Sequence, residues 1–552
     1  MIAALLLIIP LIAAAIIPFA PARQAKWIAL LGTAVACALS LIGAVGFEHW
    51  RDGGFGLTLT DVGFASDFGI TLKMGADSVA LLLILLTTIL MPLCVWSSFT
   101  AISERVREYY AWMLVIETAM VGVFLARDLI FFYVCFELTL VPMFFLIAIY
   151  GGENRARAAY KFFIYTFTGS LIALAGLVYV AWKHAAAHNG DWSFDIGALT
   201  QTAMGMDTFE QGWVLLALLA GFAVKVPLFP LHTWLPLAHT EAPTAGSVIL
   251  AAVLLKLGTY GLYRFVLPMV PVAVVQYAPL IAVLCIIGII YAALICWVQS
   301  DVKRLVAYSS VSHLGFCVLG LVALNPLGVQ GSVLYMLNHG LSTGALFLLI
   351  GMIYERYHTR DMDKIGGLSK RMPVWAFFMV FFVLSSVGLP GLNGFVSEFY
   401  CLIATFTSSR DNAQWPGMLG PWYAAVAATG MIFAAMYLLM MTGKVVWGPL
   451  KEPNGHGHGH GHGHGHAHEE AVTKLPADLT PREIAILAPI AAMCLYLGFQ
   501  PSVITDTMEK PIETALAAYP DIVNSQPRVA SAQAPSTALS AQSSPAGGRA
   551  GG

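Results

Sequence analysis

The chain is a succession of long apolar runs separated by short polar connections. Fourteen runs reach the length of a membrane-spanning helix, about 20 residues. They cover about 2–21, 27–46, 77–100, 111–126, 128–150, 160–183, 211–237, 243–263, 274–297, 303–324, 329–353, 373–406, 421–448 and 482–500. The closely spaced pair within 111–150 is divided by the polar doublet Arg127–Asp128. The first run lacks the basic start of a cleaved leader and contains Pro10 and Pro18, so it reads as a retained span. The pattern predicts an all-α polytopic membrane protein.

Composition sharpens this. Of 552 residues, 58% are hydrophobic and 11% charged, against about 45–50% and about 25% in a soluble domain. That excludes a water-soluble enzyme, and the chain is too apolar to be disordered. A formal net charge of −2 without a basic block argues against a nucleic-acid partner and leaves membrane lipid as the surroundings. The eight cysteines lie singly in apolar runs with no C-x-x-C pair, so no iron–sulfur or zinc framework is expected. If the chain serves redox chemistry, the electron carriers sit in other subunits.

Basic residues in the connections set the orientation. Connections after odd-numbered spans carry 17 Lys and Arg, and those after even-numbered spans carry six. The odd connections therefore face the cytoplasm, and both termini face the opposite side. The connection GHGHGHGHGHGHAHEE (455–470) holds seven of the 15 histidines. Neutral imidazoles at this density, among them His456, His458, His460 and His462, can bind transition metals, and the plainer reading is a flexible Gly-rich loop. The tail, 501–552, reads as disordered, most clearly in its Ala-, Ser-, Pro- and Gly-rich part from about 521.

Ionisable groups inside the spans are few and costly, at least about 2.5–3.5 kcal/mol each on insertion scales. Glu137 sits mid-span in LIFFYVCFELTLVPMFFLIAIY, Lys225 in GFAVKVPLFPLHTWLP and Lys256 in SVILAAVLLKLGTYGLY. Burial disfavours the charged form of a lysine and a nearby carboxylate favours it, so a Lys–Glu pair of variable separation can load and release a proton. His313 and His339, on neighbouring spans, suit a relay, with Ser309, Ser310, Ser312, Asn338, Ser342 and Thr343 placed to hold bridging waters. Glu398 follows the Pro/Gly/Asn break in SSVGLPGLNGFVSEFY. Glu117 is a secondary candidate expected to face Glu137 or Lys225. His232, with His239, flanks the cytoplasmic end of the seventh span as an entrance or a cap. Lys444, near a span end, snorkels.

Prolines at 227, 230 and 236 interrupt the seventh span, and the 385–394 break interrupts the twelfth. Irregular backbone at membrane depth is tolerated where it lines a hydrated cavity, and paired interrupted helices mark transporter sites. Their separation by five spans predicts two inverted five-helix repeats, helices 4–8 and 9–13, with Lys225 and Glu398 in equivalent places. The expected organisation is an N-terminal three-helix segment (1–110), the two repeats (111–267 and 274–448), the His-rich loop (449–481), a last helix (482–500) and the tail.

The stretch VKVPLFPLHTWLPLAHTEAPTAGSVILAAVLLKLGTYGLYR (224–264), with FELTLVPMFFLI, YSSVSHLGF, NHGLSTGALF and GLPGLNGFVSEF in order, resembles the antiporter-like subunits of respiratory complex I and Mrp-type cation/proton antiporters. It is most similar to the subunit M branch, whose mitochondrial counterpart is chain 4. The resemblance covers about residues 70–450. It implies a proton-translocating membrane-arm subunit of NADH:quinone oxidoreductase. Glu137 and Lys225 match the family's paired carboxylate and lysine, Lys256 its central lysine, His313 and His339 its relay, and Glu398 its terminal site. A glutamate in that last place favours subunit M over subunit L. The resemblance also implies that NADH, FMN, iron–sulfur clusters and quinone belong to partner subunits, that the neighbours are the other antiporter-like subunits L and N, and that the location is a bacterial inner membrane. The alternatives are a subunit of an Mrp-type antiporter or a membrane-bound hydrogenase, and a purely structural membrane subunit.

Overall fold

The computed structural model describes residues 1–65, 69–452 and 477–526. The His-rich stretch, including His456, His458, His460 and His462, and the chain beyond 526 lie outside the described residues. Among the described residues, twelve helices are long and apolar enough to cross a bilayer, and the chain is a multi-pass membrane protein. Each coincides with one of the expected spans, from Ile2–Phe19 to Pro481–Phe499. The two expected spans missing from this set are interrupted. Thr208–Lys225 is followed by the short helix Leu235–Glu241, and Pro373–Val387 by Asn393–Thr407.

Helix starts are set by short acceptor side chains ahead of the apolar runs, which satisfy otherwise unpaired backbone N–H groups. Asp77 accepts from Ala80 N at 2.8 Å, Asp128 from Ile130 N at 2.8 Å, Asp301 from Arg304 N at 3.0 Å and Asn325 from Gly328 N at 2.9 Å. Thr480 and Glu483 form a reciprocal capping box. The doublet at 127–128 thus ends one helix, Val106–Leu125, and caps the next, Leu129–Tyr150.

The helices Thr244–Met269 and Pro326–Tyr357 are buried throughout their apolar cores and form the centre of the molecule. Ile2–Phe19, Ala22–Val45 and Pro481–Phe499 lie at the periphery and leave Leu31, Ile42 and Phe499 exposed, as suits a lipid- or subunit-facing surface. Two features were not read from the sequence. An antiparallel hairpin, Gly56–Ala65 with Ile70–Ala76, connects the second and third spans. It is anchored by Lys73, which pairs with Asp195. The region 501–526 is also not disordered: Ser502–Leu516 and Tyr519–Ser525 are helical. Ile504, Met508, Ile512 and Leu516 recur every four residues and are buried, and the Tyr519 hydroxyl donates to Leu267 O at 2.7 Å. The polar residues between those four hide the stripe in the linear sequence.

Candidate functional site

The two central helices meet at Lys256. This residue lies between two π-helical turns, Leu250–Leu254 and Leu262–Val266. Such turns free carbonyls from the usual i+4 bond. One of them, Ala251 O, accepts from Lys256 Nζ at 2.5 Å. Nζ also lies 2.7 Å from Nδ1 of His339. Gly340 permits this approach, because a Cβ there would sit 3.0 Å from Ala252 O and 2.9 Å from Leu86 Cδ2. Lys256 and His339 are both buried, so a proton between these two nitrogens is held away from bulk solvent.

The connection continues along Pro326–Tyr357. The His313 and His339 rings are 5.8 Å apart at 65°. Tyr335, one turn before His339, places its hydroxyl 2.7 Å from His313 Nδ1 and donates to Glu398 Oε1 at 2.7 Å. A hydroxyl that donates to Glu398 accepts from His313, which puts the His313 proton on Nδ1 in this arrangement. Nδ1 is also 3.5 Å from Glu398 Oε1 directly. A small cavity lined by His313, His339, Asn338, Ser342, Thr343, Ser386 and Glu398 adjoins this chain. Among the described residues, His339 Nε2, Asn338 Oδ1, Ser386 Oγ and Glu398 Oε2 have no protein partner. The helix break is held open beside it. Gly388, at φ 82°, ends the first half-helix in the left-handed region. Asn338 Nδ2 donates to Asn393 O at 2.7 Å, and Ser385 Oγ to Asn393 Oδ1 at 2.6 Å.

At the other interrupted helix, Lys225 is the last helical residue. Pro227 has no N–H for Ala223 O, which accepts from Leu228 N at 2.9 Å instead, and the Trp234 indole donates to Val224 O at 3.0 Å. Lys225 Nζ donates to Phe136 O at 3.2 Å and Thr139 Oγ1 at 3.3 Å and lies 3.6 Å from the centre of the Phe136 ring. Glu137 is the next residue along that helix. It lies within electrostatic reach of Lys225 but forms no ion pair with it among the described residues, and its Oε1 has no partner.

The six principal sequence candidates thus fall into two groups: Lys256, His339, His313 and Glu398 are brought together, and Glu137 and Lys225 form a separate pair. Glu117 is fully buried, both its oxygens lack a protein partner among the described residues, and it is within electrostatic reach of Cys37 and Cys94 of the N-terminal helices. His232 packs by its ring against Phe229 and Tyr291. Lys444 reaches Asp363 at 3.4 Å at the surface. Tyr335 and Asn393 were missed. The signal for Tyr335 was its i, i+4 spacing from His339, because a buried tyrosine hydroxyl needs a partner. Lys303, read as a connection residue, is buried.

Residues 126–420 match the family described as NADH:quinone oxidoreductase/Mrp antiporter, transmembrane. The chain belongs to this family. It is 41% identical over 495 residues, 88% of its length and 89% of the relative's, to NADH-quinone oxidoreductase subunit M of Rhodobacter capsulatus. It is 37% identical over 437 residues, 79% of its length and 81% of the relative's, to NADH-ubiquinone oxidoreductase chain 4 of Chondrus crispus. Among solved structures it is similar to a chain of respiratory complex I from Thermus thermophilus with bound NADH. The TM-score is 0.79 and the identity 27%, covering 94% of this chain and 100% of that one. Family membership agrees with the resemblance first seen in the 224–264 motif.

Proposed function

We infer that the chain is a membrane-arm subunit of a proton-translocating NADH:quinone oxidoreductase and carries protons along its buried Glu, Lys and His side chains. The observation that carries this reading is the buried sequence Lys256–His339–His313–Tyr335–Glu398, in which a proton has donor and acceptor atoms at nearly every step. The chain holds no redox centre; NADH, FMN, iron–sulfur clusters and quinone belong to partner subunits. Quinone reduction there alters the electrostatics at Glu137 and Lys225. Separating this pair lowers the hold of Lys225 on its proton, and the proton moves through Lys256 and the histidines to Glu398 and out to the periplasm.

The two interrupted helices support two inverted five-helix repeats, and loop charge supports both termini on the periplasmic side of a bacterial inner membrane. Likeness over nearly the whole chain to subunit M supports neighbours of the L and N type. The test is Glu137→Ala, Lys225→Ala and Glu398→Ala in the assembled complex, following NADH-driven proton transport and electron transfer together. The reading expects transport to fall in all three. Normal transport in an assembled variant removes that residue from the pathway.

A further inference from the structure

Two histidines outside the buried array have the spacing of metal ligands. The helix Arg155–Ala187 ends in KHAAAH (183–188), on the side of the even connections. His184 and His188 stand one turn apart, the i, i+4 spacing by which helical zinc sites present two ligands on one face. The three alanines between them add no competing donor. The two rings stack, with centroids 4.1 Å apart and planes at 23°.

Hydrogen bonding fixes which nitrogen of each neutral ring carries the proton. His188 Nδ1 lies 2.8 Å from His184 O, and a carbonyl only accepts, so Nδ1 is the donor. His184 Nδ1 lies 2.7 Å from Thr202 Oγ1. The Thr202 hydroxyl donates its one hydrogen to Ala198 O at 3.2 Å, so His184 Nδ1 is again the donor. Both Nε2 atoms are left with lone pairs. A ring whose other N–H is anchored in this way is the usual arrangement of a metal-ligating histidine. The rings border a cavity of about 590 Å³, with Lys183, Gln201, Thr202 and Glu210 also in its wall. His188 is exposed and His184 half-buried, so an ion can enter from solvent. Lys183 donates to Glu210 Oε1 at 2.6 Å, which offsets its charge beside the two imidazoles.

We propose that His184 and His188 form a two-histidine site for a divalent transition cation such as Zn²⁺, bound through Nε2 of both rings. Tetrahedral zinc with Zn–N of about 2.0–2.1 Å needs nitrogens about 3.3–3.4 Å apart. A tilt of the exposed His188 ring supplies the small closure from the stacked arrangement. Among the described residues no cluster of three His, Cys, Asp or Glu forms, so water fills the remaining positions. The site and the proton-pathway reading do not depend on each other.

The test uses the detergent-purified assembled complex, stripped of metal with a chelator and treated with diethyl pyrocarbonate, which acylates free imidazole nitrogens. Peptide mass spectrometry reads each histidine separately, so the histidines of 455–470 do not obscure the result. Zn²⁺ is expected to protect His184 and His188 along one common saturation curve, with labelling down about tenfold at ten times its half-point. Mg²⁺, which prefers oxygen ligands, should leave both unchanged. In His188→Ala, protection of His184 at that Zn²⁺ concentration should be lost. Undiminished protection in this variant, equal protection by Mg²⁺, or no protection at all overturns the site. A second measurement does not depend on access of the reagent. Cu²⁺ binds such ligands more tightly and, with ascorbate and oxygen, oxidises the histidines that hold it. Supplied in excess over the seven histidines of 455–470, it is expected to oxidise His184 or His188. Oxidation confined to 455–470 overturns the site.

Discussion

The two interrupted helices place their ionisable residues differently. Glu398 follows its break and is wired by Tyr335 to His313. Lys225 precedes its break and is held by a carbonyl, a hydroxyl and an aromatic face, all uncharged, with no ion pair to the nearby Glu137 among the described residues. One end is joined by fixed hydrogen bonds. The other holds a cation loosely enough that a modest change in the position of Glu137 alters its stability. Sequence symmetry alone suggests two equivalent sites, whereas the packing gives one a run of hydrogen-bonded partners and the other a lysine with uncharged ones; in the proposed function the first serves as conduit and the second as trigger.

That contrast can be broken in several ways. In the proposed pathway Lys256→Met removes the junction that feeds the wired half, and it leaves His339 Nδ1 without its partner. Transport should fall by about tenfold or more in the assembled complex, and transport near wild type would show that the wired half works without its lysine. Tyr335→Phe deletes one hydroxyl without changing volume. One hydrogen bond is worth about 0.5–1.5 kcal/mol, so a loss of about two- to tenfold is expected, limited by the 3.5 Å direct approach of His313 to Glu398. No change in transport rate would mean that the direct contact carries the proton.

Thr139→Val probes the loose end. Lys225 keeps Phe136 O and its ring, so a change of about twofold or less is expected. A loss as large as that of Tyr335→Phe would mean that both ends are wired. Asp195→Asn lies outside both regions and should leave transport unaltered. Burial raises the affinity of Asp195 for a proton, but Lys73, the Ala198 N–H and Arg127 outweigh it and hold this carboxyl below its ordinary range. Its contribution to stability is therefore present above the ordinary carboxylate range and is lost as pH falls through the lowered folded value. Asparagine retains the helix cap, so melting experiments should show a loss below about 1 kcal/mol near neutrality and a weaker decline toward acid. An unchanged acid limb would place that pH dependence elsewhere.

Most of the site was legible because a charge inside an apolar run is conspicuous and needs a reason. Glu137, Lys225, Lys256 and Glu398 stand out on that ground alone. Tyr335 does not, since tyrosine is common in apolar helices and only its neighbours across the break reveal its role. Lys303 was misplaced for the opposite reason. It lies beside a connection and was counted with the exposed cations, but the short helix behind the seventh span folds over it. Glu117 shows the limit of reading along one helix. Its position within a span was clear, yet which helices it faces depends on rotation about the helix axis.

By itself the sequence determined that this is a multi-pass membrane protein, where most spans begin and end, which two are broken, and the family to which it belongs. These follow from local causes: apolar length, capping residues, prolines and an ordered motif. Only the tertiary structure decided that Lys256 meets His339, that Tyr335 closes the gap to Glu398, and that His239 stacks on Phe347. Those contacts join helices distant in the chain, and their distances are set by close packing at residues such as Gly340 and by carbonyls freed at π turns, neither of which leaves a period that can be read along the chain.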